Sequence, residues 1–423
     1  MKITILALGT RGDVQPYVAL GEGLRKVGHG VRVATFENFE PLVTGLGLQF
    51  HPVAGDVQSI LASESVLDLI EPRGKTGIRN LLHTGKAWVS AVQACAQALW
   101  EACHGTDAII NGLPGALFGF DAAERLHVPH VSAAVIPFVR TRSFPIPVLP
   151  PASFGSAYNL LTYRIAEQVL WRTVQGTINQ WRQGSLGLPK APFWGHSSRL
   201  NKERVLVLNG FSPRLVPRPP DWPGHIFITG YWFLEERDWR PPPELLDFIE
   251  SGPKPVFVGF GSMPVRHPER MANAVVDALR RSGHRGVLGM GWGGVRSGDL
   301  PDDMVGIEYA PYSWLFPRMA AVMHHGGSGS TAAGLHAGVP SVVVPFLLDQ
   351  FYWGRRIASL GVGPKPIPRN QLSVKRMASA IRRATSDPDM RRRARELGRA
   401  VRTEHGVVRA VEVLDSYLTD WSN

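Results

Sequence analysis

Three groups of residues in this sequence have the types and spacing to do chemistry. The run Met323-His324-His325-Gly326-Gly327-Ser328-Gly329-Ser330-Thr331 follows an apolar stretch, Ala320-Ala321-Val322, that reads as the end of a strand. It precedes Ala332 to Ala337, which reads as the start of a helix. A glycine-rich turn at such a junction aims backbone N–H groups, and the positive end of a helix dipole, at whatever lies above it. His325, Ser330 and Thr331 add side-chain donors, so the segment suits a phosphate or diphosphate. A packing turn would explain the glycines but not so many donors. Downstream, Gly338-Val339-Pro340 leads into the apolar run Ser341 to Pro345 and then to Asp349-Gln350, a pair placed to hold sugar hydroxyls. A diphosphate seat followed by a hydroxyl-binding pair points to a nucleotide-sugar. The third group is Asp13, in the turn Gly9 to Pro16. A carboxylate there could take a proton from an alcohol if partial burial keeps its pKa up. Plainer readings stand beside these: a helix cap for Asp13 and Asp349, a buried hydrogen-bonded imidazole for His324 and His325, and core packing for Trp353.

The elements that must position these residues alternate as strand and helix. Ile3 to Leu8 is a continuous apolar run of the buried parallel-strand kind, Val18 to Val27 fits a helix closed by Gly28-His29-Gly30, and Val31 to Thr35 is the next strand. Leu48 to Val53, Ala108 to Ile110 and His130 to Ile136 continue the series. From 137 to 185 the pattern changes: prolines 137, 145, 147, 150 and 151 precede a helix-like run carrying Leu160, Leu161, Tyr163, Ile165, Val169, Leu170 and Trp171. This is either ordinary core or the wall of a pocket for a lipophilic substrate. Pro217, Pro219, Pro220 and Pro223 read as a linker. The alternation then restarts with strands at 255–260, 287–290, 305–309, 320–324 and 341–345, and a helix at 271–282. Terminal helices are expected at 374–383, 390–404 and 408–421. The chain is therefore expected to be α/β, with two doubly wound halves: residues 1–216 binding an acceptor and residues 217–407 binding a nucleotide-sugar. The helix from about 408 to 423 is expected to pack back on the first half. Ligands in open α/β sheets sit beyond the carboxyl ends of the strands, where both motif-rich turns fall.

The 423 residues allow two ordinary domains. Hydrophobic residues at 44% and charged residues at 19% are those of a globular chain. The net charge of +11 fits an anionic diphosphate or an acidic lipid surface. The basic residues are scattered apart from Arg391-Arg392-Arg393 and Arg395, and no nucleic-acid-binding signature appears. Cys95 and Cys103, eight apart on one expected helix, lie about 12 Å apart along its axis, too far to pair. That suits a reducing cytosol, and no run reaches the length of a membrane span. The expected location is cytoplasmic, with peripheral membrane contact left open. Asp387-Pro388-Asp389 and Asp302-Asp303 read as a cap and a turn rather than metal ligands.

On the residues Gly9-Thr10-Arg11-Gly12-Asp13-Val14-Gln15-Pro16, the diphosphate motif at 324–331, and Asp349-Gln350-Phe351-Tyr352-Trp353-Gly354-Arg355-Arg356, the chain resembles the inverting glycosyltransferases of family 1, which have the GT-B fold. Within them it is similar to the sterol 3-beta-glucosyltransferases and to bacterial antibiotic glycosyltransferases. The resemblance implies two Rossmann-like domains facing a cleft, a UDP-sugar co-substrate, no cofactor, no metal, and a lipophilic polycyclic acceptor. It implies Asp13 as general base. It implies donor contacts from Ser262, Trp292, Tyr309, Ala310, Pro311, His325, Gly327, Ser328, Gly329, Ser330, Thr331, Asp349 and Gln350. Acceptor contacts are expected from Arg11, Gly12, Phe138, Phe144, Leu161, Tyr163 and Trp353. The N-terminal loop lacks the histidine that many plant relatives use as base, and Leu347-Leu348 replaces smaller or polar residues of the sterol enzymes. Competing readings are a nucleotide-sugar epimerase, a non-catalytic binding protein, and a dinucleotide-binding oxidoreductase. For the last, Gly327-x-Gly329-x-x-Ala332 is a loose fingerprint with Asp349 about twenty residues on.

Overall fold

The computed structural model describes residues 1–55, 67, 95–113, 115–149, 154–195, 203–236, 238–291 and 300–422. Two compact units form, one running to Leu234 and resuming at Glu404, the other built on Glu235–Thr403.

The first unit holds a seven-stranded sheet in the order β3-β2-β1-β4-β5-β6-β7, every neighbouring pair parallel. Its strands are β1 (Lys2–Leu6), β2 (Gly30–Phe36), β3 (Gln49–Val53), β4 (Ala108–Asn111), β5 (His130–Ala134), β6 (Leu206–Asn209) and β7 (Ile226–Ile228). Strands buried on both faces need unbroken apolar runs. Ile3, Ile5, Val31, Val33, Ile109, Ile110 and Val131 supply the interior accordingly. Helix α1 (Arg11–Lys26) links β1 to β2 and lays Val14, Val18, Leu20 and Leu24 on the sheet. Helix α2 (Ala116–Leu126) follows β4, and α3 (Gly155–Gly184) spans 30 residues after β5.

The second unit holds a five-stranded sheet in the order β10-β9-β8-β11-β12, also all parallel. Its strands are β8 (Val256–Gly259), β9 (Gly286–Gly289), β10 (Met304–Ile307), β11 (Ala321–His324) and β12 (Ser341–Val343). Around it lie α4 (Pro243–Glu250), α5 (Pro268–Ser282), α6 (Ser328–Ala337), α7 (Gln350–Ser359), α8 (Val374–Ser386) and α9 (Pro388–Arg402). The last helix, α10 (Gly406–Ser422), groups with the first unit. There it reaches α1 closely because residue 23 is glycine: a Cβ at Gly23 would stand 2.5 Å from Val407 Cγ1.

The fold corrects three expectations. The division at 216/217 lies too early, since β6 and β7 extend the first sheet and carry that unit to Leu234; the return falls at 403/404 rather than 407/408. Pro217 to Pro223 are therefore not a linker. They stiffen the connection between β6 and β7, where Arg218 donates to the carbonyls of Trp222 and Pro223 at 3.0 and 2.8 Å. Helix α1 begins at Arg11, not Val18, so Asp13 stands in a helix rather than a loop. Asp387 caps α9, accepting from the Met390 N–H at 3.0 Å, and both cysteines are buried and free.

Candidate active site

Each sheet has one place where successive strands turn from one side of the first strand to the other. In the first unit it lies between β1 and β4, in the second between β8 and β11. Loops leaving the carboxyl ends of two such strands diverge and leave a crevice for a ligand.

In the first unit the loop after β1 runs into α1, and Thr10 and Asp13 form a reciprocal capping box. The Thr10 N–H and hydroxyl both donate to Asp13 Oδ2, at 2.9 and 2.8 Å. Both bonds end on one oxygen, and Oδ1 accepts none among the described residues. Gly9, at φ +136°, packs under the carboxylate; a Cβ there would come within 2.5 Å of Asp13 Cβ. Burial pushes the Asp13 pKa up and the two Thr10 bonds pull it back, with the rise prevailing. One helical turn on, the buried Tyr17 hydroxyl donates to the Ala133 carbonyl at 2.9 Å. Its ring meets Trp232 edge-on at 5.8 Å, and burial, then the Asp13 charge, raises its pKa. Tyr17 joins the α1, β4 and β5 ends of the crevice; the sequence signal for it was only its spacing of four from Asp13. Arg11 and Gly12 are partly exposed in the same first turn, Arg11 donating to Gln15 Oε1 at 3.2 Å.

In the second unit, His325-Gly326-Gly327 leaves β11 and Gly261-Ser262 leaves β8, side by side. The His325 ring lies against both glycines: a Cβ on Gly261 would stand 3.3 Å from its Cε1, and one on Gly327 2.4 Å from its Nε2. His325 Nδ1 is buried without a partner among the described residues. Burial pushes the His325 pKa down to about 4, so at neutral pH it is an uncharged donor rather than a fixed cation. His324 is structural: fully buried, its pKa pushed down to about 3, its Nδ1 accepting the Gly326 N–H at 3.1 Å and so setting the turn. Gly327 is the N-cap of α6 and has no side chain with which to answer the helix's first N–H groups. Ser262, Ser328, Gly329 and Ser330 are partly exposed there, whereas the Thr331 hydroxyl is buried with no partner among the described residues.

Asp349 is the N-cap of α7, and its Oδ2 accepts the Trp353 indole N–H at 2.8 Å. Gln350 is buried. Its Oε1 accepts from the Phe346 and Leu347 N–H groups at 2.8 and 3.1 Å, and its Nε2 donates to Met263 Sδ at 3.2 Å. Gln350 therefore shapes the loop before Asp349 instead of presenting its amide to a hydroxyl. Ala310 and Pro311 are buried beside β10, while Tyr309 is exposed with its hydroxyl bonded to Glu236 Oε2. Trp292 lies outside the described residues.

The expected acceptor set divides. Phe138 and Phe144 are partly buried in the loop after β5. Leu161 is exposed, but Tyr163, two residues along α3, faces the opposite way and is 0% exposed. Trp353 is likewise 0% exposed and belongs to the second unit's interior. Neither Tyr163 nor Trp353 offers a surface to an acceptor. The dinucleotide fingerprint also fails in context: it follows β11 rather than the sheet's first strand, and β12 ends at Val343, well before Asp349.

The family model for the glycosyltransferase family 28 N-terminal domain matches residues 3–145, and that for the erythromycin biosynthesis protein CIII-like C-terminal domain matches residues 293–407. A sterol 3-beta-glucosyltransferase of Cryptococcus neoformans is 37% identical over 98% of this chain. The chain spans 27% of that protein's length. Among solved structures, the kitacinnamycin glycotransferase aligns with a TM-score of 0.71 at 19% identity, covering 99% of each chain. The glycosyltransferase SsfS6 of Streptomyces sp. SF2575, solved with thymidine diphosphate, aligns at 0.65 and 20% identity, covering 98% of this chain and 99% of that one.

Gly327→Ala tests the seat, because Gly327 has an ordinary backbone conformation and a Cβ would displace only the imidazole. Calorimetry with UDP and dTDP should show binding weakened about tenfold or more, the worth of a hydrogen bond to a charged group; an unchanged Kd would remove His325 from the seat. Trp353→Phe keeps an aromatic ring in the core and deletes the N–H on Asp349. The donor KM should rise several-fold while the Kd for UDP alone stays constant; an unaltered KM would show that the Trp353 bond does not position Asp349 for the donor.

Proposed function

We propose that this chain is a glycosyltransferase of the GT-B fold that transfers glucose from UDP-glucose to a hydroxyl of a sterol-like, lipophilic polycyclic acceptor, with inversion at the anomeric carbon. The observation that carries this reading is the seat at the β8/β11 crevice. An uncharged His325 is wedged between Gly261 and Gly327, beside a helix start that has no side-chain cap. The sterol-like acceptor rests on relatives named for that activity, aligned along 98% of the chain.

In this mechanism the acceptor oxygen attacks the anomeric carbon as its proton passes to Asp13, and the carbon–oxygen bond to the diphosphate breaks. Attack opposite the leaving group inverts the configuration. Negative charge grows on the departing phosphate oxygen, where the N–H groups opening α6, the His325 N–H and the Ser262 hydroxyl stabilise it. Such preorganised donors commonly contribute about 3–4 kcal/mol apiece to a transition state. Asp349, steadied by Trp353, accepts from sugar hydroxyls. The raised pKa of Asp13 strengthens it as a base, and its uncommitted Oδ1 is the lone-pair site a hydroxyl needs.

Mass spectrometry of donor and acceptor mixtures tests the reading. A sterol–hexose adduct should form with UDP-glucose, whereas an epimerised donor without any adduct would favour an epimerase. Asp13→Asn keeps an acceptor for the cap and removes the base; turnover should fall about 100-fold or more with nearly native melting. Asp13→Ala should lose in addition about 1 kcal/mol of stability. Retained turnover in Asp13→Asn would leave the carboxylate a cap and nothing more. A base works only deprotonated, so kcat/KM falls as pH drops through the Asp13 pKa, above its ordinary 3.8. Thr10→Ala removes a bond that lowers this pKa and should move the acid limb to higher pH; an unmoved limb would assign it to another group.

A further inference from the structure

Leu348 stands where the backbone does not favour a leucine. It is the first central residue of the turn that leads from β12 into α7, a turn closed by the Gln350 N–H on the Leu347 carbonyl at 3.3 Å. Its φ is +52°. Turns give such a place to glycine, asparagine or aspartate, because a Cβ there crowds the carbonyl that follows. The fold gains little in return. Leu347 packs on the apolar core of the second unit, whereas Leu348 is 60% exposed. The turn cannot relax, because both its flanks are tied. Gln350 Oε1 holds the N–H groups of Phe346 and Leu347, and the Trp353 indole holds Asp349. A strained, exposed, apolar side chain on a fixed loop points to contact with a ligand rather than with the protein.

The turn borders the diphosphate seat. Gly326, between His325 and Gly327, lies against the start of α7: a Cβ there would come within 3.1 Å of the Gln350 carbonyl oxygen. The residue after Leu348 is Asp349, to which the mechanism above assigns the sugar hydroxyls. A hexose presents two kinds of surface, hydroxyl groups at its rim and C–H groups on its faces. The neighbouring pair offers a match for each, a carboxylate for the first and an isobutyl group for the second. The same pair is hostile to a hexuronate. The sugar's carboxylate would meet the like charge of Asp349 and lose water against a side chain that can donate nothing.

We propose that Leu348 is a specificity-determining residue of the sugar subsite, packing on the C–H face of a neutral hexose and, with Asp349, refusing a hexuronate. The inference rests on the donor assigned above and is tested by binding, without turnover. Calorimetry of the full chain uses UDP, UDP-glucose and UDP-glucuronate. The native chain should bind UDP-glucose at least about tenfold more tightly than UDP-glucuronate. Leu348→Gly should raise the Kd for UDP-glucose about fivefold and leave that for UDP unchanged. It should nevertheless melt about 2 °C higher, because glycine adopts this φ without strain. Leu348→Ala should weaken UDP-glucose equally without the gain in melting, since its Cβ keeps the strain. Leu348→Arg offers a guanidinium to a carboxylate and should narrow the gap between the two sugars about tenfold. A leucine kept only for packing would cost melting temperature in both small variants and alter no ligand. That outcome, equal native binding of the two sugars, or an equal loss for UDP and UDP-glucose would overturn the proposal. Binding of UDP-glucose that depends on Leu348 in a chain that transfers nothing would sink the transfer reading alone. Glucose transfer with the sugar preference unaltered in all three variants would sink this inference alone.

Discussion

A helix that begins where a buried parallel strand ends leaves its first N–H groups without partners, and something must answer them. The two units meet this demand in opposite ways beside the switch points of their sheets, after β1 in the first and after β11 in the second. At α1 the answer is internal: Thr10 and Asp13 satisfy each other and close the turn. At α6 the cap is Gly327, which has no side chain to offer, and the imidazole lying against it has an Nδ1 with no partner among the described residues. One helix start is furnished with a carboxylate and the other is left to attract an anion. This difference, more than any single residue, sets the two halves of the chain apart.

Around each helix start a layer of buried polar groups fixes geometry. An unmet buried donor or acceptor costs about 1–3 kcal/mol, so each such group constrains the loop it binds. Gln350 ties the backbone of residues 346 and 347 and reaches Met263 beyond β8. His324 accepts from Gly326 and bends the chain sharply enough for His325 to fold over Gly327. Trp353 fills the core and steadies Asp349. Leu348 sits between these anchored neighbours at φ +52°, a conformation that bulky residues rarely adopt. The loop before Asp349 is thus held from both sides with Leu348 strained at its crest.

Much of this was readable from the residues. The unbroken apolar runs marked most of the strands, because a parallel sheet covered on both faces tolerates no alternation. The glycine-rich turn between β11 and α6 is legible in its residue types. What failed did so for local reasons. Pro16 stands inside α1 and can donate no bond to the Gly12 carbonyl, which hides the first turns from a sequence reading, yet the helix runs back to Arg11. Prolines 217–223 resembled a linker, but the same stiffness serves a connection between adjacent strands. Short β6 and β7 carry too little pattern to stand out. Leu161 and Tyr163 looked alike in composition, and only the helical rotation between them separates outside from core. Trp353 and Gln350 were credited with ligands because the sequence shows a side chain's capacity for hydrogen bonds but not which partners have already claimed it.

The same limit leaves Asp13 open in the sequence between cap and base, and the geometry of its carboxylate is compatible with both roles. A cap uses one oxygen lone-pair direction and favours the charged form; a base needs a lone pair facing its substrate and profits from a raised pKa. In a carboxylate these demands can be split between its two oxygens. Here both Thr10 bonds converge on Oδ2, which fixes the rotamer and leaves Oδ1 uncommitted among the described residues. Burial outweighs the two Thr10 bonds, so the carboxylate holds a proton more readily than a free one. Gly9 enables the arrangement, because any side chain there would occupy the space into which the carboxylate is packed. A residue retained for its cap would tolerate asparagine; one that also moves a proton would not, and the division of labour between its two oxygens is what makes that distinction physical.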